Sequence, residues 1–459
     1  MGNETERLQA ARLRELDARH VWHPFTQMNE WQDGETLLIE RGEGVYLYDV
    51  EGRRYLDGVS SLWCNVHGHR HPIIDRYVRE QLDRLAHSTF LGLSHAPAVR
   101  LAAKLAEIAP ERLTRVFFSD SGSTAVEAAV KIAYQYHQQN GEPARTAFAA
   151  LSAAYHGDTL GSVSLGGIDL FHAAYRPLLF DVVRVPTPAP YRDLPIDPSA
   201  SDAELARHPA AAPLLDVFRR HGERLCALVM EPLVQGAAGM LLHPKGFLAL
   251  ARRLCDRYGA LLVLDEVATG FGRTGTMFAC EQERVAPDLM AVAKGLTGGY
   301  LPVAATLAAE AVFDAFRGAP ESHRTFYHGH TYTANPLGCA AALGSLDVFE
   351  REQVMAQLPE KVAHFKKAVE RLRGSSHVGD IRIIGLMAAV DLLRDPAGGQ
   401  AYPEAWRMGY KVCMEARRHG VIVRPLGDSV VLMPPLAVLP QEIDLLVAAI
   451  QQAIERVCR

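Results

Sequence analysis

Short apolar segments alternate with longer helical patterns from about residue 73 onward, and this alternation constrains the fold more than any other feature of the sequence. The apolar segments have the length and composition of single β-strands. We predict strands at residues 115–119, 146–151, 225–231, 260–265 and 289–293. Helical patterns at 123–138 and 246–258 lie between them. Strands that alternate with helices predict an α/β fold with a mostly parallel sheet.

The two ends of the chain have a different pattern. Residues 1–22 predict an exposed amphipathic helix, and residues 44–57 predict two strands joined by a tight turn. From about residue 345, a long helix, a group of short strands and a final helix predict a second, α+β module. The segment 186–213 is rich in Pro, Ala and Ser, which predicts a surface excursion. Because 459 residues are too many for one ordinary core, we expect more than one domain.

Composition and charge exclude several classes of protein. The formal net charge of −5 gives no basic surface for nucleic acid. No apolar run has the length of a membrane span, and the charged N-terminus lacks the apolar stretch of a secretory signal. The seven cysteines lack paired or metal-type spacing, which favours reduced core residues. We therefore expect a cytoplasmic protein with no membrane or nucleic-acid partner.

Two carboxylates end the apolar strand in the segment LLVLDEVATGFGRTG, which begins at residue 261. Asp265 and Glu266 follow the strand directly, and the carboxyl ends of parallel strands form the crevice where α/β proteins bind ligands. A capping or metal-binding role is the alternative for either side chain. This pattern alone does not choose between the alternatives.

A lysine follows the next apolar strand, in the segment AVAKGLTGGY. Lys294 lies between this strand and a glycine, and a lysine beside buried apolar residues is costly unless it is neutral, paired or covalently used. Its position therefore predicts a functional amine, although a lysine whose charge reaches solvent at the strand end is the ordinary alternative.

Two further segments complete a cofactor pattern. SDSGSTAVE at 119–127 leads from a strand into a helix, so Gly122 and Ser123 can bind an anion at the helix N-terminus. Tyr155 follows another strand and offers a flat aromatic face. An anion cradle, an aromatic ring, a carboxylate and a strand-end lysine together match the needs of pyridoxal 5′-phosphate (PLP). In that interpretation Asp265 keeps the pyridine nitrogen protonated and Lys294 holds the cofactor as a Schiff base.

The segments LVLDEVATGFGRTG, AKGLTGGYLP, YHGDT and HGHTYTANPLGCAAAL resemble those of class III (omega) aminotransferases, from about residue 20 to the C-terminus. The resemblance implies PLP-dependent transferase fold type I, with a large domain that holds a mostly parallel sheet and a small α+β domain. It also implies an obligate homodimer with shared active sites. On this basis we expect 73–344 to form the large PLP-binding domain, and 1–72 to join 345–459 in the small domain.

The resemblance also implies roles for individual residues. Lys294 and Asp265 are the expected catalytic residues. The expected cofactor-binding residues are Gly122, Ser123, Tyr155, Asp265, Lys294 and, from the neighbouring subunit, Thr331. The expected substrate-binding residues are Trp63, Phe25, Gly329 and Arg424, of which Arg424 should hold a substrate carboxylate through its bidentate guanidinium. Glu231 is a further candidate for orienting the site.

Flanking motifs narrow the resemblance to one branch of the family. WHPFTQM at 22–28, DGVSSLWCNVHGHRHP at 57–72, AHSTFLGLSH at 86–95 and VRPLGDSVVLMPPL at 423–436 resemble the branch that converts 8-amino-7-oxononanoate to 7,8-diaminononanoate in biotin biosynthesis. That reaction is a ping-pong transfer through pyridoxal and pyridoxamine phosphate. The expected amino donor is lysine or S-adenosylmethionine.

Three departures from the branch pattern bear on the donor. Phe25 replaces a tyrosine, Leu62 replaces the first of two tryptophans, and His330 replaces a proline. Phe25 lacks a hydroxyl that could bond a polar group, and Leu62 lacks an aromatic face that could attract a sulfonium cation. These variants resemble enzymes of the branch that use lysine, so we favour lysine over S-adenosylmethionine.

Other functions remain as alternatives. An omega-amino acid or amine–pyruvate aminotransferase is the nearest, because Leu62-Trp63 also occurs in such enzymes. A non-catalytic PLP-fold binding protein is more remote, because the lysine, aspartate and arginine are all in place. A Rossmann dehydrogenase is excluded, because no G-x-G-x-x-G opens a βαβ unit. A metal site is not expected at the histidines His67, His69, His71, His328 and His330.

Overall fold

A computed structural model describes residues 2–33 and 36–458. Its strands are β1 Ile39–Glu43, β2 Tyr46–Asp49, β3 Arg54–Asp57, β4 Leu113–Ser119, β5 Ala147–Leu151, β6 Val182–Val185, β7 Leu225–Met230, β8 Val234–Gln235, β9 Leu241–Leu242, β10 Leu261–Asp265, β11 Leu289–Val292, β12 Ala304–Ala309, β13 Val378–Ile384, β14 Met387–Leu392, β15 Val421–Ile422, β16 Arg424–Leu426 and β17 Ser429–Leu432. Its right-handed helices are Gly2–His20, Met28–Asp33, Pro72–Leu82, Ala96–Ile108, Gly122–Gln139, Leu160–Leu165, Asp169–His172, Asp202–Leu205, Ala211–His221, Phe247–Tyr258, Glu310–Asp314, Pro336–Arg351, Val354–Glu370, Met408–Arg418 and Pro440–Val457.

A seven-stranded sheet forms the centre of the molecule, in the order β4-β12-β11-β10-β7-β5-β6. Its strands run parallel except β12, which is antiparallel to both neighbours. Strands β7, β10 and β11 are buried along their whole length, which explains their continuous apolar sequences. The α/β fold with a mostly parallel sheet is therefore confirmed.

The predicted central strands are all present, with ends that differ by one or two residues. Two strands of the sheet were not predicted. β12 has the sequence AATLAA, and alanine has little preference for strands, so its burial between β4 and β11 decides its conformation. β6 is a short edge strand that follows irregular chain.

The two ends of the chain pair with each other. The predicted hairpin is present as β2 and β3, and β3 pairs in parallel with β15, where Leu56 lies opposite Val421. A separate antiparallel sheet has the order β13-β14-β17-β16. The prediction of one long helix from residue 345 was wrong: the helix begins at Pro336, and a break at Gln353, whose φ is +53°, divides it from the next helix.

The segment 186–213 carries more structure than a plain excursion. It includes the helix Asp202–Leu205, and the Ile196 side chain is buried. The Ile196 N–H donates to the Lys245 carbonyl at 2.8 Å, which fixes this segment to the large sheet's helical layer. Across the described residues, no helix is both long enough and apolar enough to span a bilayer.

Candidate active site

The carboxyl ends of the central strands meet around one cavity of about 690 Å³. The loops that follow β4, β5, β7, β10 and β11 supply much of its wall. This is the crevice in which open α/β sheets bind ligands. Residues that line it and were predicted from the sequence to belong to the site are Trp63, Gly122, Ser123, Tyr155, Asp265 and Lys294.

An anion cradle lies at the start of the helix Gly122–Gln139. A capping box at Ser121 closes the first turn of this helix. Gly157 packs against Ser123 with a φ of +117°, and a Cβ at Gly157 would lie 2.4 Å from the Ser123 Cβ, so only glycine fits. Because the first N–H groups of a helix have no intrahelical partners, the first turn can donate hydrogen bonds to a phosphate.

The carboxylate of Asp265 is fixed at the end of β10. Its Oδ1 accepts a hydrogen bond from the Val267 N–H at 3.0 Å, and its Oδ2 lies 2.8 Å from His156 Nδ1. Both side chains are buried. His156 was not predicted as a site residue, because a histidine after a strand gives no signal of its own.

Glu231 occupies a buried position at the end of β7. Its Oε1 accepts from the Tyr155 N–H at 3.2 Å, and its Oε2 accepts from the Gly236 N–H at 2.8 Å. Burial raises the pKa of Glu231 to about 7, against the opposing effect of nearby His156. The carboxylate therefore anchors the backbone of two residues that line or border the cavity.

Lys294 follows β11 and begins a short 3₁₀ turn with a φ of +43°. Its Nζ lies 5.4 Å from the centroid of the Trp63 ring. Burial lowers the pKa of Lys294, while the nearby Asp265 carboxylate opposes that shift. A lowered pKa increases the fraction of neutral amine, which is the nucleophilic form.

Tyr155 presents its ring to the same cavity. Its hydroxyl donates to Asp158 Oδ2 at 2.8 Å, and its ring lies parallel to the His172 ring within 8°, at a centroid distance of 6.3 Å. Burial raises the pKa of Tyr155, and the hydrogen bond to Asp158 adds to that shift. The tyrosine therefore remains a neutral aromatic surface at physiological pH.

The side of the cavity that faces Lys294 is formed by an unusual turn, Ser60–Trp63. All four residues have φ between +49° and +74°, and none of them is glycine. The Trp63 N–H donates to the Val59 carbonyl at 2.9 Å, so the bonding is that of an α-helix of the opposite hand. Such a backbone costs about 1–2 kcal/mol per L-residue.

A second cavity of about 420 Å³ adjoins the first, and Leu62 lines both. Phe25 and Arg424 line this second cavity, and the Arg424 Cζ lies 5.8 Å from the Phe25 ring centroid. The predicted carboxylate-binding arginine and the predicted aromatic residue are thus placed together, one compartment away from Lys294.

The structure does not bring Gly329 and Thr331 to either cavity. Both residues are exposed on the chain that precedes the helix Pro336–Arg351. A single chain therefore leaves the predicted roles of these two residues open.

The histidines that resemble metal ligands have other neighbours. His67 Nε2 lies 3.1 Å from Ser345 Oγ, and His69 Nε2 lies 3.0 Å from Asp57 Oδ2. Residues 2–33 and 36–458 contain no group of three or more His, Cys, Asp or Glu side chains that could hold a metal ion.

The residues around the cavity fit PLP. The cradle at Gly122 suits a phosphate, the Tyr155 ring suits a planar heterocycle, and the Asp265 carboxylate is buried at the strand end where a ring nitrogen needs a partner. Lys294 lies in the same cavity, and burial lowers the pKa of its amine. Together with the central sheet, this site defines a PLP-dependent enzyme of fold type I.

Comparisons with known proteins agree with this class. The model of the family "Aminotransferase class-III" matches residues 27–454. An adenosylmethionine-8-amino-7-oxononanoate aminotransferase from Nitratidesulfovibrio vulgaris is 56% identical, over 97% of this chain and 82% of that protein. One from Geobacter sulfurreducens is 50% identical, over 97% and 98%.

Solved structures give the same result. The enzyme of that name from Methanocaldococcus jannaschii has a TM-score of 0.90 and 39% identity, and the match covers 97% of this chain and 99% of that one. The omega transaminase from Pseudomonas jessenii in complex with PMP has a TM-score of 0.89 and 31% identity, over 97% and 98%. The chain belongs to the class III aminotransferases and is a PLP-dependent transaminase.

Proposed function

We propose that this aminotransferase converts 8-amino-7-oxononanoate to 7,8-diaminononanoate in biotin biosynthesis. The names of its relatives at 56% and 50% identity support this substrate. The observation that carries the proposal is the pair of adjoining cavities, with Lys294 in one, Arg424 in the other and Leu62 lining both. A long aliphatic acid with its reacting carbon at one end and its carboxylate at the other suits this arrangement.

We assign roles to the cavity residues as follows. Gly122 and Ser123 would hold the phosphate of PLP, the Tyr155 ring would cover the face of its ring, and Lys294 Nζ would hold it covalently. The Asp265 carboxylate would keep a proton on the ring nitrogen, and His156 fixes the orientation of that carboxylate. When bound, PLP supplies an electron-accepting ring that stabilises negative charge on the substrate carbon.

The reaction then needs three actions from the protein itself. Once the donor's amino group has replaced it on the cofactor, Lys294 Nζ would remove the proton from the donor carbon that bears that amino group, and burial favours this role because it lowers the pKa of the amine. Arg424 holds the carboxylate at the far end of the substrate. Trp63 covers the aliphatic chain and excludes water from the reacting carbon.

Lysine is the amino donor that we propose. The relatives' printed names contain adenosylmethionine, and two residues of this chain disfavour that donor. Leu62 offers no aromatic face to a sulfonium at the junction of the two cavities, and Phe25 offers no hydroxyl in the second. Lysine combines an aliphatic chain with a carboxylate, so it can use Arg424 in the same way as the acceptor.

A cytoplasmic homodimer is the proposed assembly, with 73–344 as the large domain and 1–72 with 345–459 as the small domain. The exposed chain around Gly329 and Thr331 supports the dimer, because these residues carry family roles but lie outside the cavities of their own chain. Tyr327 and Tyr332 beside them are also exposed. In the dimer, the Thr331 hydroxyl of one subunit would complete the phosphate site of the other.

A donor screen on the purified, PLP-loaded protein tests the proposal. The visible absorbance of the bound cofactor should bleach with lysine and recover when 8-amino-7-oxononanoate is added. Bleaching by adenosylmethionine alone would overturn the donor assignment but keep the acceptor. Bleaching by simple amines with recovery only by pyruvate would identify an amine–pyruvate aminotransferase instead.

A further inference from the structure

The turn Ser60–Trp63 cannot owe its conformation to its own sequence. Ser, Leu and Trp all disfavour positive φ, and the turn contains four such residues in succession. Strained backbone persists only where the surrounding structure over-determines it. The contacts that hold this turn are therefore part of the site.

Asp57 holds the first half of the turn from the end of β3. Its Oδ1 accepts from the Ser61 N–H at 2.9 Å and its Oδ2 accepts from the Ser61 hydroxyl at 2.7 Å. His69 Nε2 lies 3.0 Å from the same Oδ2. Asp57 is 0% exposed, so its carboxylate relies on hydrogen bonds from protein groups.

Arg273 holds the turn from the opposite side. Its Nη2 donates to Ser60 Oγ and to the Asn65 carbonyl, each at 3.3 Å, and its Nη1 donates to the Pro434 carbonyl at 2.5 Å. The Ser60 hydroxyl in turn donates to the Met433 carbonyl at 2.6 Å. Arg273 is 1% exposed, and a buried guanidinium with directed donors fixes the groups around it.

The turn determines the direction of the two side chains that it carries. Trp63 is 7% exposed and faces Lys294, whereas Leu62 is 47% exposed at the junction of the two cavities. Among the described residues, the buried Trp63 Nε1 has no hydrogen-bond partner. The indole is thus oriented by the backbone and by packing, not by a bond of its own.

We propose that Asp57 and Arg273 are positioning residues that lock the Ser60–Trp63 turn in its left-handed form, and that this locked turn determines substrate fit by setting the directions of Leu62 and Trp63. Release of the turn would rotate both side chains away from the boundary between the cavities. The effect would fall on the binding of a long substrate that passes through both cavities, rather than on the proton transfer at Lys294. The identity of this long substrate, 8-amino-7-oxononanoate, rests on the proposed function.

A matched pair of substitutions at Ser61 separates strain from simple loss of contact. Ser61→Ala and Ser61→Gly both remove the hydroxyl bond to Asp57, but only glycine adopts positive φ without cost. Ser61 is exposed, so neither change disturbs the core. Ser61→Ala should raise the KM for 8-amino-7-oxononanoate about fivefold, the effect of one neutral hydrogen bond, and Ser61→Gly should stay near the wild type.

Asp57→Asn tests the clamp directly. We expect its KM for 8-amino-7-oxononanoate to rise about tenfold, as for loss of a hydrogen bond to a charged group, with little change in kcat. Adding Ser61→Gly should return the KM to within about threefold of the wild type. Asp49→Asn is the control, because Asp49 is an equally buried aspartate of the neighbouring strand that bonds Tyr55 and Arg53 away from both cavities.

Each outcome decides the proposal. A selective rise in KM with rescue by Ser61→Gly supports it. An unchanged KM in Asp57→Asn, or equal effects of Ser61→Ala and Ser61→Gly, overturns it. If Asp57→Asn does not fold, the Ser61 pair decides alone. If the wild type does not aminate 8-amino-7-oxononanoate at all, the proposed function fails, and that result is distinct from a failure of the clamp.

Discussion

The cavity around Lys294 has two walls that are built in different ways. One wall consists of residues at or just after the ends of buried strands, such as Asp265 at the end of β10, whose backbone the sheet ladder fixes. The other wall is the Ser60–Trp63 turn, whose backbone is unfavourable and is held by the side chains of Asp57, four residues from Ser61, and of Arg273, more distant in the chain. Asp265 thus stands on regular structure, whereas Leu62 and Trp63 stand on irregular structure. Substitutions in the first wall should lower kcat, and those in the second should raise KM.

The largest effect should follow from Lys294→Ala. Loss of the amine removes both the covalent hold on the cofactor and the base, so we expect activity to fall about 10⁴-fold. Steady-state assays with excess PLP measure the loss. Lys411→Ala is the control, because Lys411 lies exposed on the helix Met408–Arg418. Activity above one-hundredth of the wild type would contradict the assignment.

Asp265→Asn should rank second. An asparagine keeps the size of the side chain but cannot hold a proton on the cofactor ring nitrogen, so kcat should fall about 10³-fold. His156→Leu should have a smaller effect, because His156 acts only through Asp265. Presteady-state measurement of cofactor bleaching checks both variants. A larger loss in His156→Leu than in Asp265→Asn would contradict the order of these roles.

Arg424→Ala tests the binding of the substrate carboxylate. Removing the guanidinium should raise the KM for 8-amino-7-oxononanoate about 100-fold while kcat changes little, because the carboxylate contact is present before and during the reaction. Arg418→Ala serves as the control, since Arg418 pairs with Glu415 at 2.9 Å outside both cavities. A fall in kcat as large as the rise in KM would indicate that Arg424 acts near the reacting carbon, which would contradict its assigned role.

Glu231→Gln should change activity the least. Its main effect should be on how the stability of the protein depends on pH. Burial raises the folded-state pKa of Glu231 to about 7 from an ordinary value of 4.5. The folded protein therefore keeps a proton that the unfolded chain releases, and this stabilisation is complete below pH 4.5 and is lost as pH rises to 7. The free energy of unfolding of the wild type should fall relative to Glu231→Gln by roughly 3 kcal/mol over that range. Denaturant unfolding at several pH values measures the free energy of unfolding of both proteins. If it changes with pH in the same way in both, the raised pKa of Glu231 is contradicted.

The two walls also differ in how far the sequence predicts them. Asp265 ends one buried apolar strand and Lys294 comes just after another, and that pattern is enough to place them at one edge of a sheet. The left-handed turn has no such signal, because Ser-Ser-Leu-Trp contains no glycine and its conformation comes from Asp57 and Arg273. The pairing of His156 with Asp265 was missed because it joins residues 109 positions apart. Strand β12 was missed because tertiary burial overrides the helical preference of alanine.

A single-turnover experiment shows directly whether 8-amino-7-oxononanoate is the amino acceptor. The enzyme is first aminated with lysine, freed of excess donor, and mixed with 8-amino-7-oxononanoate or with pyruvate. We expect the cofactor absorbance to recover with 8-amino-7-oxononanoate, with one 7,8-diaminononanoate formed per site, and to recover far more slowly with pyruvate. Recovery with pyruvate and none with 8-amino-7-oxononanoate would contradict it.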